Sequence, residues 1–143
     1  MSAAPAPAPA PAPARKLRVL LVDDQPPFRM AARSLLEADD SYVVVGEASD
    51  GESAIAQAQS LRPELILMDV RLPGMNGIEA TRRILNRDPA MIVVLLSTHQ
   101  VADLPPDLLQ CGAAGFLRKE ALNPTALELL VNGPRPQRAG SPG

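Results

Sequence analysis

The sequence predicts a doubly wound α/β domain built on one parallel sheet of five strands. Three observations lead there. Short apolar runs alternate with helix-like stretches along the chain. The runs are continuously apolar, as expected of strands covered on both faces. Asp23, Asp24, Asp69, Ser97 and Lys119 all stand at or just past the end of such a run. Right-handed crossovers bring the C-terminal ends of parallel strands to one edge, where ligands of such sheets bind.

The elements follow in order. Leu17–Val22 reads as a first buried strand, ending in Asp23-Asp24. From Pro26 to Ala38 the chain can form a helix, proline being tolerated in a first turn. Met30, Leu35 and Leu36 are expected inward, with Arg29 and Arg33 outside. Tyr42–Gly46 is a second strand. Asp50 can cap a helix running to about Leu61, with Ile55 and Leu61 inward. Leu65–Met68 is a third strand, ending at Asp69, and the loop 71–77 leads into a helix to about Arg87. Met91–Leu96 is a fourth strand, ending at Ser97. Before the fifth strand, Pro105-Pro106 forbids a regular helix, so that helix starts near Pro106 and gives little more than one turn to Cys111. Ala114–Leu117 is the fifth strand, just before Lys119. Pro124 to Val131 is a short last helix, stopped by Asn132-Gly133-Pro134.

Composition narrows the function. The chain has 143 residues, enough for one domain, and 46% of them are hydrophobic, enough for a core. Residues 1–15, rich in Ala and Pro, are expected to be a stiff disordered arm, 16–132 the folded domain, and 133–143 a disordered Gly/Pro/Arg tail. A net charge of −2 gives no electrostatic reason for nucleic-acid binding. One cysteine, Cys111, excludes an internal disulfide and a cysteine metal cage, and it reads as a small buried residue. Apolar runs fall short of the ~20 residues a membrane helix needs, and the N-terminus makes a poor signal peptide. A soluble cytoplasmic protein is expected.

The strand-end residues carry chemistry. Carboxylates gathered at one edge repel each other, so positive charge must offset them. An all-oxygen site suits a hard divalent cation such as Mg²⁺. The ammonium of Lys119 is a second positive charge, able to bind a phosphoryl oxygen. Of 14 basic residues only Lys16 and Lys119 are lysines, so a lysine here stands out. Ser97 can donate to another phosphoryl oxygen. Asp69 can then attack phosphorus, with catalysis resting mainly on positioning and charge stabilisation. His99 reads as a solvent-facing residue.

The segments RVLLVDDQPPFR, ELILMDVRLPGMNGIEATRRI, VVLLSTH and AAGFLRKE resemble those of two-component response-regulator receiver domains. The resemblance covers roughly Leu17 to Val131 and is strongest to receivers usually fused to a helix-turn-helix output domain. It implies a flavodoxin-like (βα)5 fold with strand order 2-1-3-4-5. Asp69 matches the phosphoacceptor. Asp23 and Asp24 match the acidic pair holding Mg²⁺, completed by Asp69 and the backbone carbonyl of Arg71. Ser97 matches the switch hydroxyl, Lys119 the phosphoryl-binding lysine, and Phe116 the aromatic residue that turns inward. Pro73 and Gly77 match the loop after the acceptor. The implied partners are a histidine kinase or phosphotransfer protein and an unknown downstream protein.

Three departures from the family pattern bear on output. The fourth helix is broken, the last helix is short, and Glu120 follows Lys119 where many members carry a proline, so a cis bond is not expected there. A homodimer is compatible with the pattern, but both helices of its usual signalling face are altered. With only the 133–143 tail following the domain, direct DNA binding is not expected. Two other functions compete with this reading. An aspartate-nucleophile phosphatase shares the acidic cluster but places Asp-x-Asp after its first strand and carries a cap domain, so a turnover enzyme is not expected. A degenerate receiver acting as a structural interaction module is the alternative.

Overall fold

A computed structural model describes residues 16–98 and 108–133. Leu17–Val22 (β1) lies between two other strands, and this placement creates the site. Tyr42–Ala48 (β2) flanks it on one side and Leu65–Asp69 (β3) on the other. Ile92–Ser97 (β4) and Gly115–Arg118 (β5) continue the sheet in the order β2-β1-β3-β4-β5, every pair parallel. The helices are Pro26–Glu37 (α1), Gly51–Leu61 (α2), Gly77–Arg87 (α3) and Pro124–Asn132 (α4). This is the fold class that the sequence predicts and the strand order that the family resemblance implies.

Strand periodicity divides the core in two. Leu20, Val22, Ile66, Met68, Val93 and Leu95 face α2 and α3, whose Ala54, Ala58, Ile84 and Leu85 cover them. Val19, Leu21, Leu65, Leu67, Val94 and Leu96 face α1 and α4, which supply Ala32, Leu36 and Leu127. Successive residues of a strand point to opposite faces, so an apolar run must fill both layers. Each such Leu or Ile contributes about 1.5–3 kcal/mol by leaving water.

Local chemistry sets the ends of the helices. The Asp50 carboxylate accepts from Ser53 N–H at 2.7 Å, the cap expected of it, and Asn76 and Asn123 do the same for α3 and α4. The α2 C-terminus turns through Arg62 at φ 50°, and the Arg18 guanidinium donates to the carbonyls of Leu61 and Arg62 at 2.7 and 2.8 Å.

Several expectations shift. Met30 is exposed at 70%, not inward. The buried stripe of α1 runs through Phe28, Ala32, Leu35 and Leu36, a helical spacing that leaves position 30 on the outer face. Arg29 and Arg33, expected outside, turn instead onto Glu47. β2 runs past Gly46 to Ala48, because Val19 pairs with Val44 and Leu20 with Gly46, leaving Val45 as a bulge. A Cβ at Gly46 would stand 2.6 Å from Leu61 Cδ1, so this glycine marks close helix packing and not a strand end. Between β4 and β5 the described residues hold a 3₁₀ turn, Leu108–Cys111, with Cys111 buried. The expected helix start near Pro106, His99, residues 1–15 and the tail from Pro134 lie outside the described residues. Among the described residues, no helix is long and apolar enough to cross a membrane.

Candidate functional site

The sheet order reverses at β1: the chain moves outward to β2, then returns across β1 to β3. The segments leaving β1 and β3 therefore cover opposite faces and open a crevice between the strand ends. Register decides what lines it. Val22 pairs with Met68, so Asp23 and Asp69 are the next step on neighbouring strands. Asp69 pairs with Leu96, which puts Ser97 one step further on, and Ser97 pairs with Arg118, the residue before Lys119.

The side chains converge accordingly. Lys119 Nζ lies 2.5 Å from Asp23 Oδ2 and 3.0 Å from Asp69 Oδ2. Asp23 Oδ1 accepts from Gln25 N–H at 2.8 Å, and Asp69 Oδ1 from Arg71 N–H at 3.0 Å. Asp23, Asp69 and Ser97 are buried, whereas Asp24 is exposed. One oxygen each from Asp23, Asp24 and Asp69 fits within a 4.8 Å span. Ligand oxygens around an octahedral Mg²⁺ stand roughly 3–4 Å apart, so modest side-chain rotation would complete such a site. Phe116 is half-buried against the core layer under α2 and α3. Arg71 is placed by its amide contact to Asp69, on the exposed loop after β3. The five polar strand-end residues singled out in the sequence thus share one crevice.

A glycine sets how near the following helix comes. A Cβ on Gly77 would fall 2.0 Å from the Asp69 carbonyl oxygen. With no side chain there, Gly77 N–H reaches the Val70 carbonyl at 2.8 Å, and α3 begins directly against the Asp69 backbone.

The electrostatics show a deficit of positive charge. Burial raises the Asp69 carboxyl above the usual aspartate range; the Arg71 amide and Lys119 pull it down, and the charge of Asp23 adds to the rise. For Lys119, burial works against the ammonium, but Asp23 and Asp69 outweigh it and raise its pKa. Lysine is thus held charged while Asp69 remains under-compensated. Three carboxylates opposite one ammonium leave two negative charges unmatched when all are ionised. A divalent cation would match that charge.

Sequence reasoning missed part of the site. The Phe28 ring centroid lies 4.7 Å from Lys119 Nζ, closing the ammonium from the α1 side. Arg29 Nη1 donates to the Asp23 carbonyl at 2.5 Å and its Nε to Glu47 Oε1 at 2.9 Å. Glu47, an acid within an otherwise apolar strand, and the four-residue spacing of Arg29 and Arg33 were the available signals.

The fold and the site together define a doubly wound α/β domain with an acid-lined crevice and an inserted lysine at its switch point. The chain belongs to the response regulator receiver domain family, whose model matches residues 19–132. It is therefore a receiver domain of two-component response regulators. It is 41% identical over 105 residues to the response regulator GacA of Pseudomonas viridiflava, covering 73% of this chain and 49% of that protein. It is 43% identical over 105 residues to the protein-glutamate methylesterase/protein-glutamine glutaminase of Alkalilimnicola ehrlichii, covering 73% of this chain and 27% of that one. The signal receiver domain of the putative response regulator NarL from Mycobacterium tuberculosis superposes with a TM-score of 0.75 at 33% identity, covering 82% of this chain and 98% of that one. The chain spans about half the length of GacA or less than a third of the methylesterase.

Proposed function

We propose that this chain is a phospho-accepting switch: Asp69 takes a phosphoryl group from a histidine kinase or phosphotransfer protein with the help of Mg²⁺, and the change alters a protein-contact surface. The observation that carries the reading is the convergence of Asp23, Asp24 and Asp69 on one crevice, with Lys119 between two of them. Asp23, Asp24, Asp69 and the backbone carbonyl of Arg71 would hold Mg²⁺. The bound cation would supply charge to the acidic cluster and to the phosphoryl oxygens.

The protein's own part follows from its geometry. An Asp69 carboxylate oxygen attacks phosphorus, and the phosphorus–nitrogen bond of the donor phosphohistidine breaks. The departing imidazole nitrogen keeps the electron pair and takes up a proton. Lys119 and Ser97 bind phosphoryl oxygens as negative charge builds, and Ser97 draws Phe116 inward. Hydrolysis of the acyl phosphate, assisted by the same residues, resets the switch. No substrate is turned over, and the signal passes to a downstream protein in the cytoplasm.

Intact-mass measurement tests the proposal. With a small phosphodonor and Mg²⁺, the wild type gains one phosphoryl mass, while Asp69→Asn or addition of a chelator prevents it. An unchanged wild-type mass would instead leave a degenerate receiver, acting only as an interaction module.

A further inference from the structure

We infer that Arg29 is a positioning residue for the acidic turn: by spanning the Asp23 carbonyl and the Glu47 carboxylate, it fixes the backbone from which Asp23 and Asp24 reach the metal. The inference rests on the proposed Mg²⁺ site and adds a residue to it.

Two adjacent aspartates can ligate one ion only if the peptide joining them holds still. The Asp23 N–H is anchored by the Ala48 carbonyl at 3.0 Å. Its Oδ1 is anchored by the Gln25 amide at 2.8 Å. Its carbonyl, which begins the peptide to Asp24, is held at 2.5 Å by Arg29 Nη1. The guanidinium is itself held, because Nε binds Glu47 Oε1 at 2.9 Å. Glu47 pairs with Leu21 across the sheet, so the guanidinium is moored to rigid strand. With 18% of its side chain exposed, Arg29 is shielded far better than Arg33, at 38%. A planar fork with several fixed donors can make both contacts at once, which an ammonium cannot do with the same geometry.

Charge is the objection to a cation beside a cation site. Arg29 and Arg33 bring two positive charges toward the crevice. Glu47 binds both, and Glu37 faces Arg33 at 3.4 Å. The clamp is therefore neutral as a unit and holds the turn without repelling a metal ion. Arg33 shares the Glu47 anchor, but its guanidinium is spent on Glu47 and Glu37. That makes it the natural control.

Calorimetric titration of the full chain with Mg²⁺, paired with urea unfolding, decides the matter. Arg29→Met is expected to raise the Mg²⁺ dissociation constant roughly tenfold or more, the usual effect of losing a group that orients a metal ligand. Arg33→Met removes a comparable surface ion pair and should leave that constant within roughly twofold. Arg29→Lys keeps the charge but gathers its donors on one nitrogen that cannot span both partners, and should fall between wild type and Arg29→Met. If Arg29→Met does not fold, the lysine variant carries the test: Mg²⁺ affinity equal to wild type would overturn the inference. So would equal weakening by Arg29→Met and Arg33→Met, since the effect would then come from general stability. Failure of the wild type to bind Mg²⁺ sinks the proposed metal site and the inference with it. Wild-type binding with an unaffected Arg29→Met sinks the inference alone.

Discussion

The Lys119 ammonium stands 4.7 Å from the centroid of the Phe28 ring, so α1 supplies the apolar wall of a charged crevice. Phe28 also packs against the core layer under α1 and α4. Phe28→Leu should lose about 1–2 kcal/mol, part from buried area and part from the cation–π contact. A double-mutant cycle with Lys119→Met separates the two. A coupling near 1 kcal/mol in urea unfolding is expected, and Phe28→Tyr should keep it. Additive losses would mean that the ring only fills space.

Lys119 is the counter-ion of two buried carboxylates, at 2.5 and 3.0 Å. Lys119→Met leaves Asp23 and Asp69 facing each other unneutralised. In chelator this should cost about 3 kcal/mol, the scale for breaking a buried pair from one side. Millimolar Mg²⁺ should recover much of the loss, because an ion that binds only the folded state stabilises it. Urea unfolding with and without Mg²⁺ is the check. The same deficit in both conditions would argue against a cation site among Asp23, Asp24 and Asp69.

Much of this was legible in the sequence because parallel sheets announce themselves. Leu65–Asp69 and Ile92–Ser97 are apolar up to their last residues, Asp69 and Ser97, which meet in the crevice. Strand ends are short-range features, and their convergence follows from topology alone. What stayed hidden depends on long-range side-chain reach. Arg29 looked like an outer-face residue, because helical periodicity cannot foresee a guanidinium folding back onto Asp23. Met30 was misread for a related reason: the stripe was placed by residue type, whereas Phe28 and Ala32 set the true rotation of α1. Gly46 looked like a strand terminator, because a bulge at Val45 and the approach of Leu61 leave no local trace.

Gly77 tests how tightly β3 and α3 are joined. A methyl group there would fall 2.0 Å from the Asp69 carbonyl oxygen, which belongs to backbone and cannot swing aside. Gly77→Ala should therefore push α3 outward, break the 2.8 Å bond to the Val70 carbonyl, and cost about 2–3 kcal/mol. Phosphoryl uptake should slow as well, since Asp69 would lose its fixed position. Gly74→Ala, whose Cβ would meet nothing within 4 Å but whose φ is +74°, provides a comparison limited to backbone strain. Equal stability of Gly77→Ala and wild type would show that the contact relaxes without cost.

Acid should dissolve the clamp behind the acidic turn before it unfolds the core. Burial works against the Glu47 carboxylate, but hydrogen bonds and charge from Arg33 and Arg29 outweigh it and hold its carboxyl below the usual glutamate range. A group with a lowered folded-state pKa stabilises the fold above its unfolded value, and that contribution disappears as pH falls through the folded value. Glu47→Gln lacks the charge at every pH. The stability gap between wild type and Glu47→Gln should thus be widest at neutral pH, about 1 kcal/mol for so exposed a network, and close as pH falls through and below the usual glutamate range. Taking the difference cancels the titration of Asp69, which both proteins share. High salt should narrow the gap at neutral pH, because exposed ion pairs are screened. Urea unfolding across that range is the measurement. A gap that stayed constant through and below that range would mean that Glu47 acts through shape and not through charge, and Arg29 would then hold the Asp23 carbonyl without help from an anion.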